Sequence, residues 1–195
     1  MRVALLGLVV VGLTACGPQM TGTDAGAGCR DTTKSPANLL ENPGFECGEA
    51  TGNADWSAVF GTLELAAGGR TGRAAKLTVN AAGGRFAYAK TFTESPANKT
   101  YCFSAWLSGT APFMRMRVLR DFGGSVQEVS FSDQIFPDFR KIPTLKVTGD
   151  MAPKIQLVFE VQTNRPDGQN AMAGQTMLID DVDVWESTSN CSEPR

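Results

Sequence analysis

About ten short stretches of alternating apolar and polar residues, each closed by glycine, proline or asparagine, fill the chain from Trp56 to Glu186, and none keeps a helical period. They run Trp56–Phe60, Thr62–Ala66, Arg73–Asn80, Arg85–Thr93, Tyr101–Ser108, Phe113–Arg120, Ser125–Asp133, Phe139–Val147, Lys154–Gln162 and Thr176–Glu186. An alternating strand has one face to bury. A series of this length therefore predicts an all-β fold in which two antiparallel sheets pack as a β-sandwich. The 195 residues suffice for one such domain with a proper core and would be cramped for two, and no internal repeat is present.

The alternation also says what each face is for. In Lys154–Gln162, Ile155, Leu157, Phe159 and Val161 share one side, while Lys154, Gln156, Val158, Glu160 and Gln162 share the other. Met114, Met116 and Val118 likewise oppose Arg115 and Arg117. A polar sheet face of Arg, Gln and Glu suits hydroxyl-rich ligands, because each sugar hydroxyl both donates and accepts. An ordinary solvated sheet surface would read the same way.

Composition excludes several classes. With 18 basic and 20 acidic residues the net charge is −2, so a nucleic-acid partner is not expected. Histidine is absent, which removes Ser-His-Asp and Cys-His centres and His-ligated zinc. No nucleophile motif or phosphate loop stands out, and the expected protein is not an enzyme.

Residues 1–15 read as a signal peptide: Arg2, an apolar run Val3–Val11 too short for a permanent span, then Leu13-Thr14-Ala15-Cys16. This resembles a bacterial lipobox, which implies cleavage before Cys16 and lipid on its thiol and new amino terminus. Several acyl chains, at about 0.8 kcal/mol per buried CH₂, would anchor the chain in a membrane. Gly17, not aspartate, follows the cysteine, and the expected location is the cell envelope, at the outer membrane. Residues 16–37 are rich in Gly, Thr and Ala, lack an apolar period, and read as a flexible tether to a domain over residues 38–195.

Two motifs bracket that domain. Asn38–Gly48, NLLENPGFECG, reads as a short strand broken by a turn at Asn42-Pro43-Gly44 and resumed at Phe45 and Glu46. Leu178–Glu186, LIDDVDVWE, puts Leu178, Asp180, Val182 and Val184 on one face by strict alternation, so Asp180 is expected among core residues with its charge neutralised. With Trp56 and the central YCFSAWL, these motifs resemble the carbohydrate-binding modules of families four, nine and twenty-two. The resemblance spans roughly Asn38 to Glu186 and implies a galactose-binding-like jelly roll.

The resemblance further implies a structural calcium held by Glu46, Asp180 and the carbonyls of Gly44 and Arg73. Where many such modules carry a second acid, ungapped matching places Arg70, and a bridge from Arg70 to Glu46 or Asp180 is the alternative to the metal. Phe86 matches an aromatic that stacks on sugar in some of these modules. Tyr88 shares its face, and Phe122 in the loop Asp121–Gly124 is a candidate to close the same cleft. Arg117, Gln156 and Glu160 are the candidate hydroxyl partners. Trp56, Phe45 and Trp185 read as core or rim, and either Trp106 or the pair Tyr101 and Phe103 lines the binding sheet.

Four cysteines remain after Cys16, and four allow three pairings. Cys29 and Cys191 flank the domain at ends that lie close in a jelly roll. The expected bonds are Cys29–Cys191 and Cys47–Cys102. The functional expectation is a monomeric, non-catalytic domain that binds polysaccharide at the cell surface. A protein-interaction or adhesion module of the same fold is the alternative, and fold alone does not choose between them.

Overall fold

The computed structural model describes residues 38–40, 42–47, 56–81, 83–90, 99–121, 126–149, 154–163, 165–187 and 191. The signal peptide, Cys16, the tether, Cys29 and Phe122 lie outside the described residues. Eleven strands form two antiparallel sheets. The five-stranded sheet runs, in spatial order, β1 (Trp56–Phe60), β4 (Gly84–Lys90), β10 (Lys154–Val161), β6 (Phe113–Asp121) and β7 (Val126–Gln134). The six-stranded sheet runs β2 (Thr62–Ala67), β3 (Arg73–Thr78), β11 (Thr176–Ser187), β5 (Lys99–Gly109) and β8 (Arg140–Lys141), with β9 (Leu145–Gly149) also paired to β5.

Alternation explains the packing. From the five-stranded sheet Trp56, Met114, Met116, Val118, Leu157 and Phe159 point into a core that the other sheet fills with Leu77, Phe103, Leu107, Met177, Ile179 and Val184. Phe45 closes it from the amino-terminal segment, its ring 5.3 Å from that of Trp56. Each such side chain buried contributes about 1.5–3 kcal/mol from transfer out of water.

One expected strand is two. The stretch Phe139–Val147 breaks at Ile142-Pro143-Thr144, because a proline cannot donate to the ladder of β5. Both halves still pair with β5, and the Ile142 N–H keeps the contact through the Ala105 carbonyl at 3.0 Å.

The two bracketing motifs differ from expectation in an instructive way. The described part of Asn38–Cys47 is not a strand. Asn42 and Phe45 adopt φ of 49° and 56°, and the Asn42 side chain closes the turn by accepting from Cys47 N (2.8 Å) and donating to Cys47 O (2.7 Å). In β11, strict alternation fails. Asp181 takes φ 42° and the register with β5 shifts between Asp180 and Asp183, a bulge that changes the phase. Val182 and Val184 join Ile179 in the core, whereas Asp180 points to the outer face.

Beyond the bulge, β3 no longer pairs with β11, and the amino-terminal segment takes its place. Leu39 N donates to Val184 O (2.7 Å) and Val182 N to Pro43 O (3.0 Å). The buried Asn38 side chain donates to Val182 O and accepts from the N–H groups of Leu40 and Val184. Every backbone group freed by the bulge that these bonds reach is satisfied.

The expected cysteine pairing is overturned. Cys102 is bonded to Cys191, with Cα atoms 5.5 Å apart. The register explains it: β11 runs antiparallel to β5 with Trp185 opposite Cys102, so the chain leaving β11 is already beside that end of β5. Cys47 is also disulfide-bonded, but not to Cys102 as expected.

Candidate functional site

The outer face of the five-stranded sheet is built by the residues left over from the core pattern. Pairing sets Phe60, Arg85, Glu160, Arg115 and Ser132 in one row across all five strands. The next row along carries Ala87, Val158, Arg117 and Ser130, and beyond it lie Gln156 and Glu128. Phe113 precedes Arg115 by two residues and stands on the same face.

Charge on this face is concentrated in one network. Glu160 Oε2 accepts from Arg115 Nη2 (3.1 Å) and Arg117 Nη1 (3.2 Å), and Arg117 also donates to Glu128. The Arg117 guanidinium holds the Glu128 carboxyl below the usual carboxylate range, and the same bond raises Arg117. Arg165 stacks on Phe113 at 3.6 Å, and Arg85 lies 5.8 Å from the Phe60 ring. Phe60 is 44% exposed, an aromatic face turned to water.

A second cluster sits on the outer face of the other sheet. There the loop from Gly68 to Arg73 folds over Asp180, which is fully buried. Its carboxylate accepts from the backbone N–H groups of Arg70 (2.7 Å), Thr71 (3.3 Å) and Asp181 (2.8 Å). Burial, and then the nearby Asp181 charge, push its pKa up to about 6 against those bonds. Arg70 does not bridge to Asp180. Its guanidinium pairs with Asp181 at 2.6 Å and lies 4.5 Å over the Trp106 ring.

Whether a hard cation fits here is answered by the two glycines of that loop. A Cβ on Gly69 would stand 2.3 Å from the Arg73 carbonyl oxygen and 2.7 Å from Asp180 Oδ2. One on Gly72 would stand 2.5 and 2.6 Å from the two oxygens of Glu46, which also accepts from Arg73 N. Asp180 and the Arg73 carbonyl thus crowd Gly69, and Glu46 crowds Gly72, and all of them are hard oxygen donors. Among the described residues no third acid, histidine or cysteine joins them, so other ligands of a cation there would be carbonyls or water.

The sequence-chosen residues divide between these places. Arg117, Gln156 and Glu160 do share the polar face, and Glu46, Arg73 and Asp180 meet at the loop, with Gly44 in the turn that presents Glu46. The side chains of Phe86 and Tyr88 lie outside the described residues. The register sets these two positions opposite Phe159 and Leu157, both core residues. Tyr101 and Phe103 are in the core, and Trp106 is on the outer face of the six-stranded sheet, so none of the three lines the five-stranded face. Phe60 and Phe113 were missed. The alternation Phe113, Arg115, Arg117 was signal enough for the second; Phe60 is placed by a register shift after Ala58 that alternation does not reveal.

The pattern of two sheets has close counterparts among solved structures. A family 61 carbohydrate-binding module in complex with β-1,4-galactotriose is 21% identical, with a TM-score of 0.56 over 77% of this chain and 99% of that one. The CBM22-1 xylan-binding domain from Paenibacillus barcinonensis Xyn10C is 17% identical, with a TM-score of 0.57 over 75% of this chain and 93% of that one. The fold is that of carbohydrate-binding modules. The same sandwich also occurs within a larger protein, the enzymatically active domain of bacteriophage CBA120 tailspike protein 4, at 13% identity, a TM-score of 0.57 and 77% of this chain but 22% of that one. No family model matches the sequence, and no curated protein matches it.

Proposed function

We propose that this chain is a monomeric, non-catalytic carbohydrate-binding protein that takes a glycan on the outer face of its five-stranded sheet, held at the cell envelope by lipid on Cys16. The observation that carries the reading is the placement of Phe60 and Phe113 beside the Arg115–Arg117–Glu160–Glu128 network. Rings offer dispersion contacts to a pyranose, and the charged groups, with Gln156, orient its hydroxyls. An adhesion or interaction module would use a flat apolar patch. The large hydrophobics most exposed among the described residues are Phe60 and Met172, in separate segments, which favours the sugar.

One feature of the face supports a non-catalytic role: it withholds Glu128 from acid catalysis. Glycoside hydrolysis needs a carboxylic acid held protonated by its surroundings. On this face Glu128 is held ionised by Arg117. In the same reading a structural calcium would be held by Glu46, Asp180 and the carbonyls of Gly44 and Arg73, supplying the positive charge that fixes the loop over Asp180. The outer membrane is the proposed location, since Gly17 follows Cys16.

The test is a glycan array on the full chain, with β-galactan and xylan oligosaccharides as first probes, because one module above is in complex with β-1,4-galactotriose and the other is a xylan-binding domain. Phe60→Ala should abolish most binding while the melting temperature stays put, since this ring is the exposed one. Retention of no glycan, or a variant that binds as the parent does, would overturn the reading.

A further inference from the structure

We infer that the corner of the face formed by Phe60 and Arg85 takes an acidic unit of the polysaccharide, a sugar bearing a carboxylate. This rests on the reading of the face as a glycan site and adds the charge of the glycan. Among the described side chains on the strands of the face are three arginines and two glutamates, and two of the arginines are engaged: Arg115 with Glu160, and Arg117 with Glu160 and Glu128. Arg85 is directly opposite Glu160 in register, yet it makes no ion pair among the described residues. Among these five residues, Arg85 alone has no carboxylate partner.

Hydrogen bonding points the same way. The buried Nε–H groups of Arg85, Arg115 and Arg117 find no acceptor among the described residues. Of the three guanidinium groups only that of Arg85 also lacks a carboxylate on its terminal nitrogens, so it alone is left to take an acceptor brought from outside. The planar guanidinium presents its two terminal nitrogens as a fork that matches a carboxylate bidentately. Hydroxyls of a neutral sugar would accept singly and leave the charge of Arg85 uncompensated. Phe60, in the same row as Arg85, supplies the ring on which the pyranose bearing that carboxylate lies.

The experiment is titration calorimetry of the full chain with polygalacturonate, alginate, hyaluronan and glucuronoxylan, each beside its carboxyl-reduced form, with dextran sulfate and neutral β-galactan and xylan alongside. At least one acidic polymer should bind about tenfold or more tightly than its reduced form, a preference that shrinks as salt is raised. Arg85→Gln should remove that preference, so that the acidic polymer and its reduced form bind alike. If reduced and acidic forms bind alike, if Arg85→Gln weakens both equally, or if dextran sulfate binds as well as any carboxylated polymer, the inference fails and the glycan reading stands. If no polymer binds at all, the glycan reading fails and takes the inference with it.

Discussion

Oδ2 of Asp180 lies 2.7 Å from the point a Cβ on Gly69 would occupy. Gly69→Ala should therefore cost about 1–3 kcal/mol, since neither the carboxylate nor the Arg73 carbonyl can retreat without breaking backbone bonds. Gly68 is the control. Its φ is 87° but nothing lies within 4 Å of its Cβ position, so Gly68→Ala should cost only the left-handed backbone penalty of about 1 kcal/mol. Denaturant midpoints of the two variants distinguish crowding from backbone strain.

The pH dependence of stability should carry a term of unusual sign. Asp180 keeps its proton up to about pH 6 in the folded chain and loses it near 3.8 in the unfolded one, so between these values the native state binds more protons. In chelator, this group's contribution is then most favourable below pH 3.8 and declines as pH rises to about 6. Asp180→Asn should flatten that decline in a series of thermal melts. Calcium bound at the loop would oppose it, so melts with added calcium at pH 7 should lie above those in chelator, and unmoved melts would exclude the ion from this loop.

Asn38 spans the bulge of β11 with four hydrogen bonds. Replacing it by leucine, close in size, leaves the N–H of Val184 and the carbonyl of Val182 buried without that partner. The expected loss is about 1–3 kcal/mol for each group so stranded, read as a shift of the urea midpoint.

The Cys102–Cys191 bond closes a loop of 89 residues. In the chain-entropy model a loop of this length contributes about 4–5 kcal/mol. A Cys102→Ala, Cys191→Ala pair should lower stability by that order in equilibrium unfolding, and an unreduced digest should yield the peptide joining the two.

What was legible in the sequence is the sandwich itself, because alternation in Lys154–Gln162 and Phe113–Arg120 sorts core from surface without knowledge of neighbours. The phase of β11 was not. A single residue at φ 42° reverses every side chain after it, and nothing in the identity of Asp181 announces that. The cysteine connectivity failed for a different reason: it depends on which strand end lies beside the departing chain, a property of strand order. Phe60 was hidden by a register shift with β4, and Arg70 was placed at the right loop but against the wrong aspartate.

Strand order has a consequence in time. The strand at the centre of the six-stranded sheet, β11, is the last to be made, and β3 and β5 on either side of it are complete about a hundred and about seventy residues earlier in the chain. Until Thr176–Ser187 emerges those two edges have no common neighbour, and the Asn38 segment has no bulge to dock on. A chain cut short of β11 is thus predicted to remain open and protease-sensitive, so that the fold closes in one late step, with both ends of the domain arriving together.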